Sequence, residues 1–443
     1  MTYKFRNILF AFFVLVFFIL TTIFSLSASG YKVSLTALLN GKSFIQKTGI
    51  LAVDSTPGGA KVSVVKEFNS IFSDEEVLNN KNITTPYKIR NLLPGDYNLS
   101  FELDGYWPWQ QRVSIYSGQT TYIEDVVLFR KNLPVIFFNS GVQNIAIDSY
   151  GQSIALETDN KIIDLNTDQE IDLMTDVYRF NFLSSKKILV NGDSIFDYSK
   201  NKYISLDDID LGNSQKIKIK NGDLYYLNNG LRSYDFLTKK DEYIFNDKRI
   251  VDYDFYNNNY YYVFSGSDSY SFKIYSYRQK QLVQEIPLPV GGDYEILAQT
   301  GSSNFVYIYD YKFKTLYIFS LLSKFNSYWA VLNNIENINF IDNNNFIYSS
   351  DMEIYSYNSI LAEEFLVGRF ESEINSLLWH PKNYLIYSTE HDIVILDLKY
   401  DKYSIKLVSL DKVGNLALDK LGSVLYFTGK VGNQEGVYKL LIQ

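Results

Sequence analysis

Apolar and polar residues alternate with a period of two along much of the chain, in short runs separated by turns. Between residues 50 and 130, such runs cover 51–53 and 97–103, and Pro-Gly turns stand at 57–59 and 94–96. Period-two alternation buries one face of a β-strand, and Pro and Gly supply the backbone angles that a reversal needs. The pattern over 50–130 predicts about six or seven short strands, which is typical of a small β-sandwich.

A longer pattern repeats from residue 131 to residue 443. A hairpin with Asp, Asn or Gly in its turn appears at 145–156 and again at 416–427, and a further strand follows each copy. One unit of three or four strands per ~40 residues, in about eight copies, is typical of propeller blades. We therefore predict a seven- or eight-bladed β-propeller over 131–443. The strand at 134–138 precedes the first full repeat, and we expect it to complete the last blade and close the ring.

One turn in these repeats is His380-Pro381-Lys382-Asn383. It resembles the Pro-Asp-Gly turn in the blades of WD-repeat-like and related bacterial propellers. The Trp-Asp dipeptide of WD repeats is missing, so the resemblance concerns the architecture and not one subfamily.

The N-terminal region contains an uncharged apolar run from Ile8 to Leu26. At 1.5 Å per residue, a helix of this length spans about 28 Å, which matches the hydrocarbon core of a bilayer. Two interpretations compete, a retained transmembrane anchor and a signal peptide that is cleaved near 25–30. The run is longer than the apolar region of a typical signal peptide, which favours the anchor.

The charges around this segment predict its orientation. Lys4 and Arg6 precede it, so we expect residues 1–7 to form a cytoplasmic stub and the bulk of the chain to be extracytoplasmic. Residues 27–49 then form a juxtamembrane linker, with 8–26 as the single transmembrane helix. The first predicted partner is therefore the lipid bilayer.

Several short motifs occur in a fixed order within 50–130. They are Val53-Asp54-Ser55-Thr56-Pro57-Gly58-Gly59-Ala60-Lys61-Val62, Thr85-Pro86, Leu93-Pro94-Gly95-Asp96-Tyr97 and Gly105-Tyr106. In these motifs the region resembles a PEGA domain. Gly58 departs from the acidic position of that family, and a longer polar stretch at 66–82 replaces its short Gly-containing hairpin. The resemblance implies an extracytoplasmic, non-catalytic module of bacterial envelopes.

Composition narrows the chemistry further. The chain contains no cysteine and only two histidines, His380 and His391, which excludes disulfides, thiolate metal sites and three-histidine sites. A net charge of −8 argues against nucleic acid as a partner. There is no P-loop, nucleophile elbow, zincin or EF-hand motif, so we predict no enzyme, no cofactor and no metal. The acidic run at 207–210 lacks the ligand spacing of a calcium loop, and we expect a solvated loop there.

Trp107 and Trp109 flank Pro108 and are the candidate ligand-binding residues. Paired indoles can stack on sugar rings, which would make this a glycan platform. The alternative is that one Trp fills the core of the sandwich and the other covers a domain junction, because aromatic side chains bury large areas.

These features together predict a binding or scaffold protein of the bacterial envelope, anchored in the cell membrane by a single pass. Its propeller would bind another envelope protein or a cell-surface glycan, and the PEGA-like domain would act as a stalk. The alternative is a propeller-based hydrolase or lyase that acts on envelope polysaccharide or peptide. Two carboxylates and an arginine at one end of the central channel, with one raised pKa, would favour the enzyme. A mouth lined by Asn, Ser and Tyr would favour binding.

Overall fold

The computed structural model describes residues 3–33, 45–66, 83–139, 144–147, 154–158, 161–164, 169–172, 180–184, 187–190, 194–197, 200, 202–206, 209, 211, 215–220, 222–256, 258–297, 304–322, 327–400, 403–419 and 421–443. The chain divides into two compact units. The first comprises Met1–Asn132, Asp397–Ile405 and Gln443, and the second comprises Leu133–Leu396 and Lys406–Ile442.

The first unit begins with the helix α1, Tyr3–Ala28. Its segment Leu9–Ala28 is long and apolar enough to cross a membrane, and the protein buries none of it. A helix that is apolar on all sides has no polar face to turn towards water. After α1, the strand β1 (Tyr31–Val33) pairs with β2 (Ile45–Lys47) in an antiparallel ribbon.

Six further strands of the first unit form two three-stranded sheets. They are β3 (Gly49–Thr56), β4 (Lys61–Lys66), β5 (Tyr87–Leu92), β6 (Gly95–Glu102), β7 (Trp109–Ile115) and β8 (Thr120–Val127). One sheet has the order β5-β3-β8 and the other has the order β4-β6-β7. Leu51 from the first sheet and Val62, Phe101 and Trp109 from the second share one buried core. Alternate residues of each strand point into this core, so the two layers form a β-sandwich.

The strands after residue 133 carry the longer repeat, and they belong to the second unit apart from Asp397, Ser404 and Ile405. They are β9 (Val135–Asn139), β10 (Asn144–Ile147), β11 (Ile154–Thr158), β12 (Lys161–Asp164), β13 (Gln169–Asp172), β14 (Phe180–Ser184), β15 (Lys187–Val190), β16 (Ser194–Asp197), β17 (Lys202–Ser205), β18 (Gln215–Lys220), β19 (Asp223–Leu227), β20 (Leu231–Asp235), β21 (Lys240–Phe245), β22 (Ile250–Tyr256), β23 (Asn259–Ser265), β24 (Tyr270–Ser276) and β25 (Gln281–Leu288). The remaining ones are β26 (Tyr294–Ile296), β27 (Phe305–Asp310), β28 (Thr315–Ser320), β29 (Ala330–Leu332), β30 (Asn337–Phe340), β31 (Asn345–Ser350), β32 (Glu353–Asn358), β33 (Glu363–Arg369), β34 (Ser376–His380), β35 (Tyr384–Ser388), β36 (Asp392–Asp397), β37 (Ser404–Ser409), β38 (Lys412–Leu418), β39 (Val424–Val431) and β40 (Gln434–Leu441).

Within the described ranges, these strands form eight four-stranded sheets. Seven sheets use four consecutive strands, from β10-β11-β12-β13 to β34-β35-β36-β37, and the eighth has the order β38-β39-β40-β9. The first strand of one sheet lies against the first strand of the next, as for β14 with β18 and β18 with β22, and β38 lies against β10. A ring of four-stranded sheets that closes on itself is the arrangement of a β-propeller.

The early strand β9 closes the ring, as the sequence predicted. It pairs antiparallel with β40, with Val135 opposite Lys439 and Asn139 opposite Gly436. Because β9 supplies the fourth strand of the eighth sheet, the two ends of the propeller are joined by hydrogen bonds within one sheet.

Successive sheets pack face to face through aromatic side chains. Tyr261 and Phe272 of the fourth sheet share a core with Tyr294 and Phe319 of the fifth, and the rings of Phe272 and Phe319 are 4.7 Å apart. Large flat rings fill the narrow wedge between twisted sheets.

The antiparallel order of each sheet places its turns at two ends. Turns between first and second strands and between third and fourth strands lie at one end, which we call the upper face. Turns between second and third strands, and the links to the next sheet, lie at the other end, the lower face. The links after β21, β25, β29 and β33 are short, so from the third sheet to the seventh the first strands run in the same direction and the turns keep these positions.

Candidate functional site

Exposed apolar residues occupy equivalent turns on the upper face. The turns between third and fourth strands of four successive sheets carry Leu237, Tyr277, Leu322, and the pair Ile360 and Leu361. Leu237 is 95 % exposed and Leu322 is 73 % exposed. Turns are normally built from Gly, Pro, Asn, Asp and Ser, and exposed apolar groups that cluster mark interaction sites. We call these five residues the upper-face row.

Hydrogen bonds hold the turn that carries Ile360 and Leu361 in place. The side-chain oxygen of Asn358 accepts the Leu361 N–H at 2.9 Å. The indole Nε1 of Trp329, on the neighbouring sheet, donates to the Ser359 carbonyl at 2.7 Å. Trp329 is itself partly exposed. Its ring therefore extends the apolar surface of this turn across two sheets.

The turn that carries Leu237 is ordered by a carboxylate. Asp235 Oδ1 accepts the N–H groups of Leu237 at 2.7 Å and Thr238 at 3.3 Å, and Oδ2 accepts the Thr238 hydroxyl at 2.8 Å. The Thr238 hydroxyl and these amides lower the pKa of Asp235. An ionised carboxylate with these partners stiffens the turn, so Leu237 is presented from a fixed position.

A second group of side chains links the first strands of three neighbouring sheets. Lys216, Lys218 and Lys220 follow one another at alternate positions of β18. Lys216 Nζ lies 3.0 Å from Glu295 Oε1 on β26, and Lys220 Nζ lies 2.9 Å from Asp254 Oδ1 on β22. We call these residues, together with Lys218 and Asp252 of β22, the charged cluster. It contains three cations and three acids.

The pKa values of the acids in the charged cluster are shifted in different directions. Burial raises the pKa of Asp252, whose Oδ2 accepts the Ile296 N–H at 2.6 Å and whose Oδ1 has no hydrogen-bond partner. Burial also acts to raise the pKa of Asp254, but Lys218 and Lys220 outweigh it and the pKa is lowered. The pKa of Glu295 is lowered as well, because the Tyr311 hydroxyl and Lys216 outweigh the effect of burial, which acts to raise it.

This arrangement fits a structural network better than a catalytic one. Asp252, whose pKa is raised, is completely buried, so no substrate reaches it. The cations around the carboxylates are lysines, whereas two carboxylates with an arginine would have favoured an enzyme. Ion pairs between first strands instead tie the sheets together.

The structure separates the two tryptophans that the sequence singled out. Trp109 is 1 % exposed, stacks on Phe101 with ring centres 5.0 Å apart, and donates from Nε1 to Asp397 Oδ2 at 3.1 Å. Trp107 is partly buried, and the Lys131 ammonium lies 4.9 Å from its ring centre. Trp109 is thus a core residue, as the alternative interpretation expected for one of the pair, and only Trp107 retains surface that a sugar could touch.

The two histidines have unrelated environments. His380 is buried, its Nδ1 accepts the Lys382 N–H at 3.2 Å, and its Nε2 therefore carries the proton and donates to the Gly422 carbonyl at 2.9 Å. His391 is exposed and contacts the Asp411 carbonyl. In the part of the chain that the structure describes, no three His, Cys, Asp or Glu residues are placed to hold a metal ion. Asp207, Asp208 and Asp210 of the acidic run lie outside the described residues.

Sequence reasoning missed the upper-face row. A signal was available, because Ile360 and Leu361 are adjacent apolar residues in the turn between β32 and β33, where polar residues are usual. Phe236 and Leu237 are likewise adjacent apolar residues between Asp235 and Thr238. Exposure is decided by the turn geometry, however, and alternation alone does not report it.

No protein-family model matches the chain, and no curated protein matches it. Among solved structures, it is similar to a chain of the mitotic checkpoint complex, with 10 % identity, a TM-score of 0.35, and coverage of 70 % of this chain and 95 % of that one. The WD40 β-propeller domain of Doa1 gives 8 % identity and a TM-score of 0.34, over 70 % and 96 % of the two chains. The WD40 domain of Neurospora crassa Pan2 gives 9 % and 0.39, over 68 % and 89 %. At these TM-scores the likeness carries no argument, and the propeller architecture rests on the sheet order and the ring closure.

Proposed function

We propose that this protein is a membrane-anchored, extracytoplasmic scaffold of the bacterial cell envelope that binds another protein through the upper face of an eight-bladed β-propeller. The observation that carries the proposal is the upper-face row, in which four successive sheets expose apolar side chains at the same turn. The eight four-stranded sheets support the blade number. The sandwich, with its PEGA-like motifs over 50–130, acts as the stalk.

A protein partner fits this row better than a glycan. The cores of protein interfaces are apolar and enriched in aromatic residues, and charged residues are depleted there. Leu237, Tyr277 and Leu361 match this composition, and Trp329 provides a large anchor of the kind that dominates binding energy. Sugar recognition instead combines stacking rings with polar side chains.

The membrane anchor is supported by α1. Its segment Leu9–Ala28 is apolar and none of it is buried by the protein, and Lys4 and Arg6 precede it in the sequence. A positive N-terminal flank stays on the cytoplasmic side, so the sandwich and the propeller, which follow α1, would both lie outside the cytoplasm. The intact mass of the protein isolated from membranes tests this directly, because a cleaved signal peptide would leave a chain that begins after Ala28.

Site-specific photo-cross-linking in the full chain tests the binding function. A photoreactive amino acid replaces Leu361 or Leu237 on the upper face, and, as matched controls, the exposed Val290 or Met352 on the lower face. We expect both upper-face positions to yield the same adduct in native membranes and the lower-face positions to yield none. Adducts of equal yield from both faces, or none from either upper-face position, would contradict the proposal.

A further inference from the structure

A cavity of about 420 Å³ lies in the first unit beside the end of α1. Its lining includes Ala28 and Lys47 and, from the sandwich, Arg90, Gln119 and Thr120. Its volume falls in the range of small-molecule sites, roughly 300–1,000 Å³. The cavity is therefore large enough for a phosphate group together with part of the organic group to which the phosphate is attached.

The lining of this cavity is cationic. Lys47 and Arg90 both line it, and no acidic residue does. Neither side chain forms an ion pair with any carboxylate in the described part of the chain. Two cations without a counter-charge favour an anion between them, and the planar guanidinium of an arginine suits phosphate oxygens in particular.

The local backbone fixes this cavity to the end of the helix. Thr48 donates from its N–H and its hydroxyl to the Gly30 carbonyl, at 2.7 and 2.8 Å. Lys47 crosses Gly118, where a Cβ would lie 2.7 Å from the lysine Cε. Gly118 therefore leaves room for the lysine side chain at the cavity wall.

We propose that the cavity binds the phosphate of an anionic phospholipid headgroup, an inference that rests on the proposed membrane anchor. The apolar segment of α1 ends at Ala28, and Ala28 is part of the cavity wall. The end of a membrane-spanning segment lies at the level of the headgroups. The phosphodiester of a lipid in the bilayer therefore lies close to Lys47 and Arg90. Free phosphate has the same oxygens but is not held at the membrane surface beside the cavity.

The test uses the full chain in detergent and measures retained lipids by native mass spectrometry. Phosphatidylglycerol is the anionic probe, phosphatidylcholine the neutral one and inorganic phosphate the soluble one. We expect phosphatidylglycerol to bind in preference to phosphatidylcholine. The variant K47Q/R90Q should bind it roughly 30-fold more weakly, because each cation near an anionic lipid contributes a factor of about five.

The matched control is K61Q/K88Q, which removes two exposed cations of the sandwich that do not line the cavity. It should leave phosphatidylglycerol binding unchanged. An equal loss in both double variants, or no lipid preference in the unaltered chain, would overturn the proposal. Equally tight binding of inorganic phosphate would overturn the lipid as the source of the anion.

Flotation separates this proposal from the proposed anchor. The full chain is mixed with vesicles of phosphatidylcholine alone, to which α1 should bind without any anionic lipid. A chain that floats but shows no preference for phosphatidylglycerol refutes only the headgroup site. A chain that does not float refutes the membrane anchor itself.

Discussion

Trp109 donates a hydrogen bond from its indole Nε1 to Oδ2 of Asp397 over 3.1 Å, and both side chains are buried. Asp397 belongs to the segment Asp397–Ile405 of the first unit. Burial raises the pKa of this carboxyl, while the indole and the amides of Lys399 and Tyr400 act to lower it. The indole therefore stabilises a carboxylate that burial would otherwise disfavour.

Replacing this indole should cost stability. We expect Trp109→Phe to lower the free energy of unfolding by about 2–4 kcal/mol, because a buried carboxylate oxygen loses its donor and the core loses volume. The loss should be larger at pH 7 than at pH 4, since the bond to an ionised carboxylate is the stronger one. Urea unfolding at the two pH values measures both quantities.

Trp107→Phe is the matched control. The Trp107 Nε1 is buried and has no hydrogen-bond partner, so its removal should change the free energy of unfolding by less than about 1 kcal/mol. Equal losses in the two variants would show that the hydrogen bond to Asp397 contributes nothing beyond packing.

The sequence predicted the strands and the ring closure because these depend on local alternation and on a repeat. It could not pair Trp109 with Asp397, which lies 288 positions further along the chain. The charged cluster shows the same limit. Lys216, Lys218 and Lys220 alternate visibly within β18, but the partners of this strand are set by how successive sheets pack.

Asp252 and Asp254 should respond oppositely to neutralisation. Burial raises the pKa of Asp252 above its ordinary 3.8. Its stabilising contribution is therefore complete below pH 3.8 and is lost as the pH rises through the folded value. We expect Asp252→Asn to raise the melting temperature at pH 7 and to leave it unchanged at pH 3.

For Asp254 the sign is reversed. Its pKa is lowered, since Lys218 and Lys220 outweigh its burial, so its contribution is present above pH 3.8 and is lost as the pH falls through the folded value. We expect Asp254→Asn to cost about 1–3 kcal/mol at pH 7, where the bond to Lys220 is broken. Melting curves that move in the same direction for both variants would refute this assignment of the charges.

His380 should make the second unit sensitive to mild acid. Burial lowers its pKa below 6.5. The neutral ring is therefore favoured in the folded state, fully so above pH 6.5, and this contribution is lost as the pH falls through 6.5 to the folded value. Protonation also removes the acceptor that Nδ1 offers to Lys382. We expect the melting temperature to fall between pH 7 and pH 5.

The variant His380→Phe keeps a ring but cannot titrate. It should cost about 1–3 kcal/mol at pH 7, because the Gly422 carbonyl and the Lys382 N–H lose their partner, and it should flatten the fall below pH 6.5. His391→Phe, at an exposed position, should change the free energy of unfolding at pH 7 by less than about 0.5 kcal/mol. An unchanged slope in His380→Phe would assign the acid sensitivity to other groups.

The closing strand β9 tests whether the pairing of the two ends of the propeller chain contributes to its stability. The ring of Phe137 lies 5.8 Å from that of Tyr426 on β39, whereas Val135 on the same strand is 66 % exposed. We expect Phe137→Ala to lower the free energy of unfolding by about 2–4 kcal/mol, because β9 loses the large ring that packs against Tyr426 of the eighth sheet. Val135→Ala should stay within about 0.5 kcal/mol of the unaltered chain. Urea unfolding of the full chain, followed by circular dichroism, measures both values. Equal free energies of unfolding for Phe137→Ala and Val135→Ala would mean that the packing of β9 against the eighth sheet does not stabilise the propeller.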